Sequence, residues 1–348
     1  MPSPKLFAGV DLGGTNMQVG VVDADGAVLA RAKKKTRAEE GAARVIQRIV
    51  DGVHEACVHA GVSPAALGGV GVGAPGAIDI ATGTVRVAPN LRWTDVPLGK
   101  TLGRKLAKPV YVDNDVRSAI VGEHRHGAGR GATELFGLWI GTGIGGGIVL
   151  RNHIYTGHFG AAGEVGHTTL FPFAPPGSRS LEHTCSRTAI ADRLVRLIRA
   201  GNPSLITELT AGDLSEIKAR VIATAFTRGD KLTKQVIENA ALCLGVGLAS
   251  VVTLLSVQRI VLGGGLTEAM GESLVALVRE AVRAHAFPDA CKRVEVVATK
   301  LEADAGVIGA ASLAREHLKP GGHRPAAHKQ GQAKPAKAKP AATAKTRP

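Results

Sequence analysis

Apolar and polar positions follow two rhythms along this chain, and the rhythm changes at glycines and at acidic–amide clusters. Residues 6–10 form a short apolar run ending at Asp11; the turn Asp11-Leu-Gly-Gly-Thr-Asn16 follows, and residues 17–22 resume the run. Ala24-Asp25-Gly26 has the composition of a hairpin turn, which predicts a third strand over 27–31. Over residues 37–60 the rhythm becomes helical. Val45, Ile46, Ile49, Val50, Val53 and Cys57 fall on one face, and Gly61 marks the end. Residues 67–72 and 110–112 read as strands, the second delivering Asp113, Asn114 and Asp115 to its C-terminal end.

The stretch 139–167, WIGTGIGGGIVLRNHIYTGHFGAAGEVGH, repeats this opening. An apolar strand enters a turn with glycines at 141, 143, 145, 146 and 147. A β-branched strand, the polar turn Arg151-Asn152 and another strand follow, matching residues 6–31 element for element. Helical patterns cover 181–200, 213–227, 231–257 and 267–286. A strand over 259–265 runs into a third glycine turn, LGGG; a strand at 294–298 and the helix AGVIGAASLAREHL close the pattern. Strands alternating with helices predict an α/β fold whose ligands gather beyond the C-terminal strand ends. The duplication predicts two related domains facing each other across a cleft, with one phosphate loop from each.

Composition narrows the class. The 348 residues suit two domains, and 45% are apolar with few aromatics, as in a close-packed enzyme. Four isolated cysteines (57, 185, 243, 291) form no CxxC pair, which argues against a zinc knuckle or disulfide scaffold and fits a reducing cytosol. No basic-then-apolar leader opens the chain, and a cytoplasmic location is expected. Residues 240–258 carry no charge; two glycines, two serines and a threonine there favour a buried helix over a membrane span. The net charge is +14, and eight of those charges lie from Lys319 onward in a Pro/Ala/Lys tail without an acid. That tail is expected to be disordered, with at most non-specific contact to polyanions.

Several motifs fail on inspection. Gly141–Gly146 spells GxGxxG, but a dinucleotide fold needs a helix next, and Gly147-Ile-Val-Leu is strand-like. Gly99-Lys100-Thr101 lacks the P-loop glycine, its place being taken by Thr94, and the histidine after His54-Glu55 stands one residue too far on for a zinc protease. The first glycine turn is stronger. Gly13 and Gly14 admit a phosphate, Thr15 can donate to it, and Asp11 can hold magnesium through water. A carboxylate at a strand end suits a general base for a hydroxyl, and Asp115 takes that role; a helix cap is the other use for an Asp or Asn at 113–115. Glu164, His167 and Glu182 are candidates for binding vicinal hydroxyls.

Together these residues resemble the ROK family of bacterial sugar kinases, within the actin-like sugar-kinase superfamily, over residues 6–315. DLGGTN is similar to its first phosphate motif, and GVGAPGAID and PNLRW to its sugar-side loops. VDNDVRSAIVGE is similar to its catalytic-aspartate segment and GTGIGGGIV to its second phosphate motif. GAAGEVGH resembles the family signature, VLGGGL the adenosine-side turn and ADAGVIGAASLA the closing helix. The resemblance implies two ribonuclease H-like (actin-like ATPase) domains flanking an active-site cleft. We expect these over 1–118 and 119–303, with helix 304–318 packing back on the first and a tail at 319–348.

The resemblance also implies ATP-dependent phosphorylation of a hexose, most simply glucose to glucose 6-phosphate, by a magnesium-using homodimer. Asp115 would be the base. Asn114, Glu164, His167, Glu182, Gly76 and Asn90 would meet the sugar. Gly13, Gly14, Thr15, Asn16, Thr142 and Gly143 would meet the phosphates, and Gly264 and Gly265 the nucleoside. Kinases for N-acetylhexosamine, mannose or fructose, and polyphosphate-using glucokinases, are the alternatives within enzymes. A sugar-responsive transcription regulator is the alternative outside them, but its winged helix would precede a phosphate strand that here begins at Leu6. Many family members follow the signature histidine with zinc-binding cysteines. Here the segment reads TTLFPFAPPGSRSLEHTCS, so no structural zinc is expected and His167 is left for sugar.

Overall fold

The computed structural model describes residues 6–318; the basic tail from Lys319 lies outside them. The first half runs β1 (Leu6–Leu12), β2 (Asn16–Val22), β3 (Val28–Lys35), α1 (Ala42–His59) and β4 (Leu67–Ala74). A small antiparallel sheet of β5 (Ala77–Asp79), β6 (Thr84–Ala88) and β7 (Trp93–Val96) follows, then α2 (Leu98–Leu106), β8 (Val110–Asn114) and α3 (Asp115–His126). The second half begins with β9 (Leu135–Ile140), β10 (Ile144–Leu150) and β11 (His153–Tyr155). Helices α4 (Leu181–Cys185), α5 (Arg187–Arg199), α6 (Leu205–Leu209), α7 (Ala219–Thr227) and α8 (Lys231–Leu255) follow. Then come β12 (Arg259–Gly263), α9 (Gly265–Met270), α10 (Glu272–His285), β13 (Glu295–Ala298) and α11 (Ala305–His317).

The internal duplication is visible in the sheets. One is ordered β3-β2-β1-β4-β8 and the other β11-β10-β9-β12-β13. In each, three strands form an antiparallel meander and the remaining two add in parallel. Expected helices were interrupted where the backbone leaves helical angles. Helix 37–60 starts at Ala42 because Gly41 sits at φ 86°. The 181–200 pattern splits at Ser186, whose extended backbone and hydroxyl cap α5 through Ala189 N. The 267–286 pattern splits at Gly271, φ 56°. The strands of the small sheet, three to five residues each, were too short to show a period.

Three layers place the cleft. α1 covers one face of the first sheet through Val45, Ile46, Ile49 and Val53, the stripe expected of it. α11 covers the other face, where Val307 and Ala311 join Phe7 and Tyr111. α3 lies between the halves: Val121 packs with the first, while Ile120 packs with Leu135, Val149 and Val261 of the second. α3 and α11 cross backbone to backbone. A Cβ on Gly309 would lie 1.6 Å from the Ser118 carbonyl oxygen, and one on Gly122 2.3 Å from that of Ala305, so only glycine permits the crossing. Both connections between the halves meet on buried Glu123, which accepts from Ala128 N, Thr299 Oγ1, Lys300 N and Leu301 N. α8 is long and apolar enough to cross a membrane by length and composition. Its Leu244, Leu248 and Val252 are fully buried in the core that α10 and the second sheet share.

Candidate active site

β1, β4 and β8 run parallel, so their C-terminal ends share one edge and bring Asp11, Gly73 and Asn114 together. Gly73 gives the approach its closeness, since a Cβ there would stand 3.1 Å from the Asp115 Cα. The three polar residues after β8 have separate tasks. Asp113 is buried and holds Arg117 through Nε at 2.7 Å and Nη2 at 2.6 Å. Asn114 caps α3, accepting from Arg117 N at 3.1 Å, while its Nδ2 donates to the Gly76 carbonyl at 3.3 Å. Asp115 is then the first helical residue, where the helix dipole favours an anion, and its Oδ1 accepts from Val116 N at 2.9 Å.

No cationic side chain bonds Asp115 or Asp11 among the described residues. Burial pushes the Asp115 carboxyl up to about 6, the charge of Glu164 adding to the effect while the Val116 N–H and Arg117 oppose it. Burial and the neighbouring Asp115 push Asp11 up to about 7. A proton acceptor poised near neutrality is what abstraction from a hydroxyl requires.

The second side of the cleft is built around the β9–β10 turn. Gly141 N donates to the Gly143 carbonyl at 2.9 Å, and Glu182 on α4 accepts from Ile144 N at 2.7 Å. A Cβ on Gly143 would fall 2.3 Å from that carboxylate, so glycine is required for the clamp. Arg187 adds two more holds, its N on the Gly141 carbonyl at 3.0 Å and Nη2 on Thr142 Oγ1 at 3.3 Å. Gly264, at φ 83°, brings the third glycine turn against the Ile140 backbone, and Gly265 opens α9. Glu164 precedes a single helical turn over Val165–His167, and His167 ends it; both are exposed. Gly166 in that turn packs against the Ile144 carbonyl.

The structure thus brings Asp11, Asp115 and Glu164 within electrostatic reach of one another. It sets Gly14 against Asn90, whose Cβ would be 3.1 Å from a Cβ on the glycine, and links Asn114 to Gly76. Thr15 and Asn16 are exposed at the mouth of the first turn. Glu182, expected beside the sugar, is spent in part on the second glycine turn. The thiol of Cys185 donates to the Ala240 carbonyl at 3.5 Å, within the α4–α8 packing. Among the described residues no three His, Cys, Asp or Glu side chains are arranged to hold a metal ion.

Sequence reasoning missed Arg117, whose Nη1 reaches across to the Gly160 carbonyl at 2.7 Å and ties the 157–163 loop to α3. It also missed Gln18, Lys33 and Lys35, which share a cavity of about 460 Å³ with Asp11, Gly13 and Asn16. The period-two spacing of Arg31, Lys33 and Lys35 was the available signal.

The family model for the ROK family matches residues 7–317. The chain belongs to the ROK family. It is 36% identical over 323 residues to a glucokinase of Thermotoga maritima, covering 91% of this chain and 99% of that one. The crystal structure of a ROK family glucokinase from Streptomyces griseus, in complex with glucose and AMPPNP, superposes with a TM-score of 0.79 at 31% identity, covering 89% of this chain and 99% of that one. A xylose repressor of Caldicellulosiruptor bescii is 27% identical over 309 residues, 88% of this chain and 77% of the repressor.

Proposed function

We propose that this protein is an ATP-dependent hexose kinase acting on glucose at its 6-hydroxyl. The observation that carries the reading is Asp115, a half-buried carboxyl near pKa 6 with no cation bonded to it, set at a helix N-terminus beside Gly73 and within electrostatic reach of Asp11. The glucokinase relatives support the choice of glucose.

Asp115 accepts the hydroxyl proton as the oxygen attacks the terminal phosphorus in line. Gly13, Gly14, Thr15 and Asn16 on one side, and Thr142 and Gly143 on the other, hold the phosphates through backbone N–H groups and hydroxyls. Gly264 and Gly265 border the nucleoside. Glu164, His167, Asn114, Gly76, Asn90 and Glu182 would meet the sugar. Such chemistry depends on positioning and charge stabilisation more than on covalent steps. A carboxyl whose pKa is raised by a neighbouring carboxyl fits a divalent cation nearby, and Asp11 would hold magnesium through water. The ion would offset phosphate charge there. The moving bodies are residues 6–118 with α11, and 119–303, hinged where both connections meet Glu123; closure over the sugar excludes water.

A coupled ADP-release assay over glucose, mannose, fructose, N-acetylglucosamine and N-acetylmannosamine tests the reading. Glucose is expected to give the highest kcat/KM. Hexose-independent ADP release, or none with any of the five, would overturn it.

A further inference from the structure

Register in the first sheet aligns Asp11, Gln18 and Lys33 across β1, β2 and β3, and Asn16 with Lys35. Side chains alternate across a strand, so Arg31, Lys33 and Lys35 share the face of Asp11, Asn16 and Gln18. α11 covers that face only as far as Gly306, where a Cβ would meet the Asp11 carboxyl at 2.7 Å. Beyond the helix start the face is open. It forms the cavity of about 460 Å³ that includes Asp11, Gly13, Asn16, Gln18, Lys33 and Lys35.

The cations on this strand are not equivalent. Lys34 belongs to the opposite face and pairs with Glu55 of α1 at 2.6 Å. Arg31 is committed to Asp304, with Nε to Oδ1 at 2.8 Å, and the same carboxylate takes Gln18 Nε2 at 2.9 Å. Lys33 senses Asp304 only at a distance. Neither Lys33 nor Lys35 makes a hydrogen bond or ion pair among the described residues. The glycine turn beside them offers N–H groups, a hydroxyl and an amide, but no cation.

We propose that Lys33 and Lys35 bind the phosphate chain of the donor, extending the first glycine turn into a cationic groove along β3. The inference rests on the kinase reading. A chain of three phosphates carries several negative charges into a cleft that already holds Asp11, Asp115 and Glu164, and two unpaired ammonium groups on the open face offset them. Lysines on an edge strand also block strand-to-strand association. That task is indifferent to face and would not direct both free lysines onto the side of the glycine turn.

The test is calorimetric titration of the full chain with inorganic tripolyphosphate at fixed salt. Wild type, the double variant Lys33→Met/Lys35→Met, and Lys100→Met, a surface lysine at a separate cavity, are compared. The double variant is expected to bind at least about tenfold more weakly, with glucose affinity, thermal midpoint and the Lys100→Met variant unchanged. Binding within threefold of wild type, or no tripolyphosphate binding by wild type, would overturn the groove. Binding is read without turnover, so the two readings separate. Lysine-dependent binding in a protein that phosphorylates no hexose supports the groove and sinks the kinase, whereas hexose phosphorylation with lysine-independent binding does the reverse.

Discussion

Where β1 reaches the cleft it presents Asp11; where β9, its counterpart in the second sheet, does so, it presents Trp139. The same divergence runs along the neighbouring strands. Asp11 pairs in register with Gln18 and, beyond it, Lys33, a polar row across three strands. Trp139 pairs with Gly145 and lies against Gly263, a row of backbone and indole. One duplicated sheet order therefore supports two kinds of glycine turn. The first keeps charged side chains at the cleft, while the second uses glycines and borrows its polar holds, Glu182 and Arg187, from helices added after the repeat. Topology was preserved by the backbone ladder, which is indifferent to side-chain identity, and the chemistry was free to diverge.

Exchanging the character of the two positions gives the largest expected effect. Asp11→Asn should lower turnover by at least about 10²-fold, since it removes the charge that would hold the metal. Trp139→Phe should leave turnover within about threefold and be felt in stability by roughly 1–2 kcal/mol, through the lost indole contacts. Steady-state kinetics and urea unfolding of both variants check this; equal kinetic losses would erase the proposed division.

The borrowed clamp comes next. Gly143→Ala drives a Cβ toward the Glu182 carboxylate, so the KM for ATP should rise about tenfold with the KM for glucose little changed. Glu182→Gln retains an acceptor for Ile144 N and should cost less. A larger effect on glucose than on ATP would show that Glu182 serves the sugar first.

The smallest effect is a stability change with a definite sign. Asp11 binds its proton more tightly in the folded state, with a pKa near 7 against 3.8 unfolded, so its stabilising contribution is full below about pH 4 and lost as pH rises through 7. Ligand-free Asp11→Asn should therefore be more stable than wild type at pH 8, on the order of 2 kcal/mol, with the gap closing toward pH 5. Trp139→Phe should show no such pH dependence. Urea unfolding at the two pH values measures it.

Much of the architecture was legible because it rests on periodicity and glycines. The stripe on α1, the repeat of strand, glycine turn and strand, and the strand delivering Asp113–Asp115 were all readable from the residues. What was not legible depended on contacts between distant segments. Asn114 could have been cap or ligand, and only its bond to Arg117 N decides that it caps. The reach of Arg117 to Gly160, and the turn of Glu182 toward Ile144, join residues some forty positions apart that no local pattern links. Lys33 and Lys35 were readable as an exposed alternation, but not as facing the cleft, because that needs the register of three strands.

The central claim is that Asp115 takes the proton from the sugar hydroxyl, and Asp115→Asn tests it most directly. Its glucose-dependent ADP release is to be compared with wild type, with glucose affinity measured by calorimetry on the same samples. The account predicts a loss of about 10²–10⁴-fold in kcat with glucose binding retained, and a wild-type kcat/KM that falls tenfold per pH unit below about 6. Turnover within threefold of wild type in the Asn variant would contradict it.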